Sequence, residues 1–87
     1  ANDVMAITAI YELKRRGLRV PEDVAVCGYD NIPEAATMIP ALTTIDQNMQ
    51  QEGRILAQML LERLASTAGL EERAIPFEFR LVIRESA

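Results

Sequence analysis

Val24-Ala25-Val26-Cys27-Gly28-Tyr29-Asp30-Asn31 opens with four apolar residues in a row. An apolar run without alternation predicts a strand over 24–28 that is covered on both faces, with Cys27 as a small core residue. A carboxylate, Asp30, then follows the strand, at the end of the sheet where α/β folds gather ligands. Asp30 can accept charge-assisted hydrogen bonds from vicinal hydroxyls or ring N–H groups. The other reading is an acceptor that organises the loop before Pro33, and pattern alone leaves the two open.

Upstream of this strand the sequence reads as a helix. Asn2 or Asp3 can cap a helix over 3–16, and apolar residues at 5, 6, 9, 10 and 13 recur at helical spacing. As caps, Asn2 and Asp3 are structural; the alternative is a pair of ligand-facing polar groups. Gly17 suits the left-handed position that closes a helix, with Leu18 packing back on Leu13. Lys14, Arg15 and Arg16 fall in the last turn, where cations complement the helix dipole, and this reading is preferred over a DNA-binding patch.

Downstream, Pro33 fits the first position of a short helix that Pro40 prevents from continuing, and Leu42-Thr43-Thr44-Ile45 reads as a short strand. Asn48, with Gln51 in the capping-box relation, begins a long helix over about 49–65 with a broad apolar stripe. Ser66 to Arg73 reads as a polar loop. The tail sets Ile75, Phe77, Phe79, Leu81 and Ile83 on one side of a strand and Glu78, Arg80 and Arg84 on the other, with Val82 as the exception. Helix, turn and strand in this order, with no strand before the first helix, predict part of a larger doubly wound α/β domain that is incomplete by itself.

Composition limits the functions available. The 87 residues are 49% apolar and 25% charged, and 9 Lys+Arg against 13 Asp+Glu leave a net charge of −4, which disfavours a broad basic nucleic-acid face. One cysteine and no histidine exclude an intrachain disulfide, a Cys/His zinc site and every Ser-His or Cys-His nucleophile scheme within the chain. No nucleophile elbow, HExxH, CxxC or phosphate-binding loop occurs, and the acidic pair Asp30 and Glu34 reads as chance in so acidic a chain. Neither a membrane-length apolar run nor a signal-peptide pattern is present. The expectation is a non-enzymatic module with no cofactor and no metal.

Taken together, several stretches resemble the lactose/galactose repressor family of transcription regulators. They are Asn2-Asp3-Val4-Met5-Ala6, Gly17-Leu18-Arg19-Val20-Pro21-Glu22-Asp23-Val24, Gly28-Tyr29-Asp30-Asn31, Pro40-Ala41-Leu42-Thr43-Thr44-Ile45-Asp46-Gln47, Glu52-Gly53 and Leu81-Val82-Ile83-Arg84-Glu85-Ser86. They run in the family's order across nearly the whole chain and match roughly the last quarter of a member. Thr8 departs mildly, standing where many relatives have Gly or another small residue.

The resemblance implies a two-lobed, periplasmic-binding-protein-like α/β fold with a mostly parallel, doubly wound sheet. Residues 1–46 would belong to the C-terminal lobe, 47–66 would cross the hinge and supply a helix of the N-terminal lobe, and 67–87 would return to the C-terminal lobe. It also implies a small-molecule effector, a sugar or a nucleobase, contacted by Asp30, Asn2 and Met49. A homodimer would form partly through Ile7, Tyr11 and Met38, residues whose other reading is plain lobe core, and operator DNA would be read by an N-terminal domain outside this chain, in the cytoplasm and away from any membrane. Two other readings are weighed: a periplasmic sugar-binding protein of a transport system, which shares the fold, and an enzyme of doubly wound fold with its catalytic groups elsewhere.

Overall fold

The computed structural model describes residues 2–65 and 77–87. Helix α1 spans Asp3–Arg15, α2 Pro33–Thr37 and α3 Met49–Ala65; strands β1, Thr44–Asp46, and β2, Arg80–Val82, pair antiparallel with Ile45 opposite Leu81. The expected polar loop at 66–73 and Ile75 lie outside the described residues.

Local chemistry sets the helix ends. The Asn2 side chain accepts from the Met5 N–H at 2.9 Å and so caps α1. At the other end Gly17 takes φ 81°, its N–H reaches Lys14 O, and the Leu18 N–H reaches Leu13 O. This is the paired 5→2 and 6→1 pattern of a Schellman termination, which the glycine makes inexpensive. Arg15 and Arg16 in or next to the last turn bind Glu12 rather than forming a free basic patch. Pro33 starts α2, as its fixed φ favours.

The buried face of α1 differs from the expected one. Ala6 and Ile10 are buried and Ile7 and Leu13 pack alongside, but Met5 and Ala9 face outward. The helix is turned by Asp3, whose buried carboxylate is fastened to the neighbouring loop and strand, so the inward stripe runs Asp3, Ala6, Ile10. The core is completed by Val20, Ala35 and Leu42, with Val26 and Met38 against it.

The 24–28 strand is reduced to a single parallel bridge between Cys27 and Thr43. Its backbone is nevertheless engaged: Val26 N–H donates to Ser86 O, Gly28 N–H to Thr43 O and Asp30 N–H to Ile45 O. The parallel pairing expected from the sequence is thus confined to this bridge and its flanking hydrogen bonds along the line 26–30, and the sheet formed among the described residues is the antiparallel β1–β2 pair. Cys27 is exposed, not buried. Residues 24, 26 and 28 turn toward the core while 25 and 27 turn away, because among the described residues only one face of this line is covered.

The tail does not bury its expected apolar side, for the same reason. Phe79, Leu81 and Ile83 are exposed, while Arg84 is half-buried and Ser86 fully buried. Ser86 ties the tail in: its hydroxyl donates to Val26 O at 2.6 Å and accepts from the Thr43 N–H at 2.8 Å. Helix α3 has no buried residue. It contributes to an elongated shape, with a radius of gyration of 18.2 Å against about 12 Å expected for a compact domain of this length.

Candidate effector site

Three segments meet at the carboxyl ends of the line 26–30 and of β1: the start of α1, the loop 29–32 and residues 46–48, from the end of β1 to the start of α3. Asp3 joins the first two. Its N–H donates to Tyr29 O at 3.1 Å, and its carboxylate accepts from the Ile32 N–H at 2.8 Å and from the Thr44 hydroxyl at 2.5 Å. Gly28 permits this packing, since a Cβ there would lie 2.1 Å from Asp3 Oδ1 and 2.9 Å from Leu42 Cδ2.

Asp30 and Asn31 follow with φ of 125° and 58°, two successive residues in the left-handed half of backbone space. Such values are costly for residues with a Cβ, asparagine and aspartate least so. The turn is held by Asp30 N–H on Ile45 O and by Asn31 N–H on Thr44 Oγ1 at 3.3 Å. Asp30 is half-buried, and its Oδ1 accepts from Gln47 Nε2 at 2.8 Å. Among the described residues Gln47 is the one side chain that donates to it.

Asn31 extends the network. Its amide donates to Asp46 Oδ2 at 3.2 Å and its carbonyl accepts from Arg84 at 2.9 Å, while Arg84 also reaches Leu42 O. Asp46 Oδ1 accepts from the Asn48 N–H at 2.7 Å, and Arg80 approaches Oδ2 at 3.3 Å. These donors hold the Asp46 carboxyl below its ordinary value of 3.8, the Asn48 N–H most strongly, then the Asn31 amide, with Arg80 adding to them.

The sequence-derived site residues fare unequally. Asp30 stands where expected. Asn2 precedes the residue that joins α1 to the loop through the Asp3–Tyr29 hydrogen bond, and its side-chain oxygen is engaged as the α1 cap. Met49, 51% exposed, begins α3 two residues after the Asp30-bound Gln47. A cleft of about 630 Å³ next to these segments has a lining that includes Asp46, Gln47, Glu52, Ile55, Glu78 and Arg80, and neither Asp30 nor Met49. Gln47, Asn31, Asp46 and Arg84 were not singled out from sequence; their partners lie up to 53 residues away. The one local signal was an Asn directly after Asp30, a residue type that tolerates positive φ. Of the expected dimer residues, Tyr11 is exposed, whereas Ile7 and Met38 are half-buried against the core. Among the described residues no cluster of three His, Cys, Asp or Glu side chains could hold a metal, and no helix is long and apolar enough to cross a membrane.

The whole chain, residues 1–87, matches the periplasmic binding protein-like domain. The chain belongs to that family. Within it, the lactose/galactose repressor resemblance holds. The chain is 42% identical over 85 residues to the HTH-type transcriptional repressor PurR of Aliivibrio fischeri, covering 98% of this chain and 25% of the relative. A LacI-type transcription regulator from Bifidobacterium animalis subsp. lactis superposes with a TM-score of 0.89 at 45% identity, over 98% of this chain and 30% of that one. The complex of the transcriptional regulator CelR with cellobiose gives 0.91 at 37%, over 100% of this chain and 26% of that one. The chain therefore spans about a quarter of the length of the curated relative. These relatives are transcriptional regulators, which favours that reading over the transport-linked binding protein.

Proposed function

We propose that this chain is the part of a transcriptional repressor's effector-binding domain that presents Asp30 to a small-molecule effector, a sugar or a nucleobase. The observation that carries the reading is the placement of Asp30: a half-buried carboxylate beyond a parallel strand line, held in a left-handed turn, with a single side-chain donor among the described residues. Such a group binds donors at charge-assisted strength, and a repressor needs no more chemistry than recognition. The named regulator–cellobiose complex supports a sugar, and the HTH-type repressor supports operator DNA read by a domain outside this chain. Asn2 and Met49 flank the same effector. The protein works in the cytoplasm, without cofactor, metal or catalysis.

In this reading residues 1–46 and 67–87 belong to the C-terminal lobe and 47–66 to the crossing and the N-terminal lobe. The antiparallel return of β2 onto β1 and the absence of buried residues in α3 support that division. A homodimer forms partly through Ile7, Tyr11 and Met38, a surface to which the exposed Val4 and Ile39 add apolar area. Effector binding changes the closure of the lobes and so shifts operator affinity.

The test is titration calorimetry of the full-length protein and its Asp30→Asn and Asp30→Ala variants with cellobiose, lactose and purine bases. Asp30→Asn removes the charge at constant volume, costing about 1–2 kcal/mol, roughly five- to thirtyfold in affinity. Asp30→Ala costs more. Unchanged affinity in both folded variants would remove the assignment.

A further inference from the structure

We propose that Asp46 is a positioning residue that locks the Asp30–Asn31 loop to the N-terminus of α3, so that the carboxylate-bearing loop and the long helix shift as one unit. The proposal rests on the reading above in one respect only, that residues 47–48 cross between lobes. Two neighbouring loop residues bind the last residue of β1 and the first residue of the crossing: Asn31 binds Asp46 and Asp30 binds Gln47. The Asp46 carboxylate then continues to the Asn48 N–H, one residue before α3 begins, and the next step, Glu52 N–H to Asn48 O, lies inside the helix. Arg84, which also grips Asn31, and Arg80, which approaches Asp46, bring the β2 end of the sheet into the same junction.

The chemistry at position 46 is specific. An ionised carboxylate is acceptor-only, so its two oxygens satisfy the Asn48 N–H, the Asn31 amide and Arg80 together. An amide in its place offers one acceptor oxygen and must turn its own N–H2 toward a donor, either the Asn31 amide or the Asn48 N–H. One side of the link is then broken at nearly constant volume. On the loop side, Asn31→Gly removes only the side chain, since glycine adopts φ 58° without strain.

Hydrogen–deuterium exchange of the full-length protein, without any small molecule, tests the link. In Asp46→Asn, amides 48–55 exchange about fivefold faster than in wild type, the loss of one modest hydrogen bond read as local opening. The same segment speeds up in Asn31→Gly, although the hydrogen bonds of Asn31 go to Thr44, Asp46 and Arg84 and none goes to α3. The double variant is no faster than Asp46→Asn alone, while exchange in α1 stays at the wild-type rate. Wild-type exchange at 48–55 in Asn31→Gly, multiplicative effects in the double variant, or a parallel rise in α1 would each overturn the proposal. Should Asp46→Asn fail to fold, Asn31→Gly alone decides. Because no effector is added, this outcome is independent of the calorimetry that tests Asp30.

Discussion

The Asp3 carboxylate accepts a 2.5 Å hydrogen bond from the Thr44 hydroxyl, with both residues wholly shielded from solvent and 41 positions apart in the chain. The pair fastens the start of α1 to β1, and the second Asp3 oxygen fastens the loop that carries Asp30 through Ile32 N–H. Asp3→Ala strands the buried Thr44 hydroxyl and the half-buried Ile32 N–H and leaves a void, and should cost about 3 kcal/mol. Thr44→Val removes the hydrogen bond to Asp3 and the acceptor of the Asn31 N–H, and should cost about 1–3 kcal/mol. Urea unfolding of the full-length protein should show the double variant costing less than the sum, and additive losses would deny the coupling.

Gly28→Ala is the second expectation. The new Cβ meets Asp3 Oδ1 at 2.1 Å and Leu42 Cδ2 at 2.9 Å, so either the carboxylate or the strand line must move. Overpacking of this kind costs about 1–3 kcal/mol. Combining it with Asp3→Ala should relieve part of the clash, so thermal melts should place the double variant above the value calculated by adding the single losses.

One part of the pH dependence follows from Asp23. The Arg19 guanidinium, and after it the Arg19 N–H, hold its carboxyl below the ordinary value of 3.8. A carboxylate with a depressed folded-state pKa binds fewer protons folded than unfolded near that value. Its contribution is therefore present above pH about 3.8 and lost as pH falls through the lower, folded value. Asp23→Asn should lower Tm at pH about 7, and the gap from wild type should close in melts taken at progressively lower pH. A gap constant down to acid would contradict the Arg19 partnership.

The outward stripe of α3 makes a fourth expectation. Leu56, Leu60, Leu61 and Leu64 are each more than half exposed, and burying one such side chain yields about 1.5–3 kcal/mol, a large share of a small domain's total stability. The 87-residue chain by itself should therefore sediment as dimers or larger species, and Leu60→Gln with Leu64→Gln should move it toward monomer. A compact wild-type monomer with cooperative unfolding would count against this.

Short-range chemistry was legible in the residues themselves. A cap of α1 at Asn2 or Asp3, Gly17 ending that helix, Pro33 opening α2 and the extent of α3 all depend on contacts within a few positions, where residue type and spacing carry the information. The family likeness, and with it Asp30 after the strand line, came from order along the chain. Three features needed the tertiary structure: the buried role of Asp3, the junction of Asn31, Asp46 and Arg84, and the outward turn of Cys27, Leu81 and Ile83. Their determinants lie tens of residues apart, as in the Ile32–Asp3 and Arg84–Asn31 bonds across 29 and 53 positions. An apolar run states that a surface is to be covered, but which face is covered depends on what packs there. A carboxylate is likewise cap, clamp or ligand according to which distant donors the fold brings to its two oxygens.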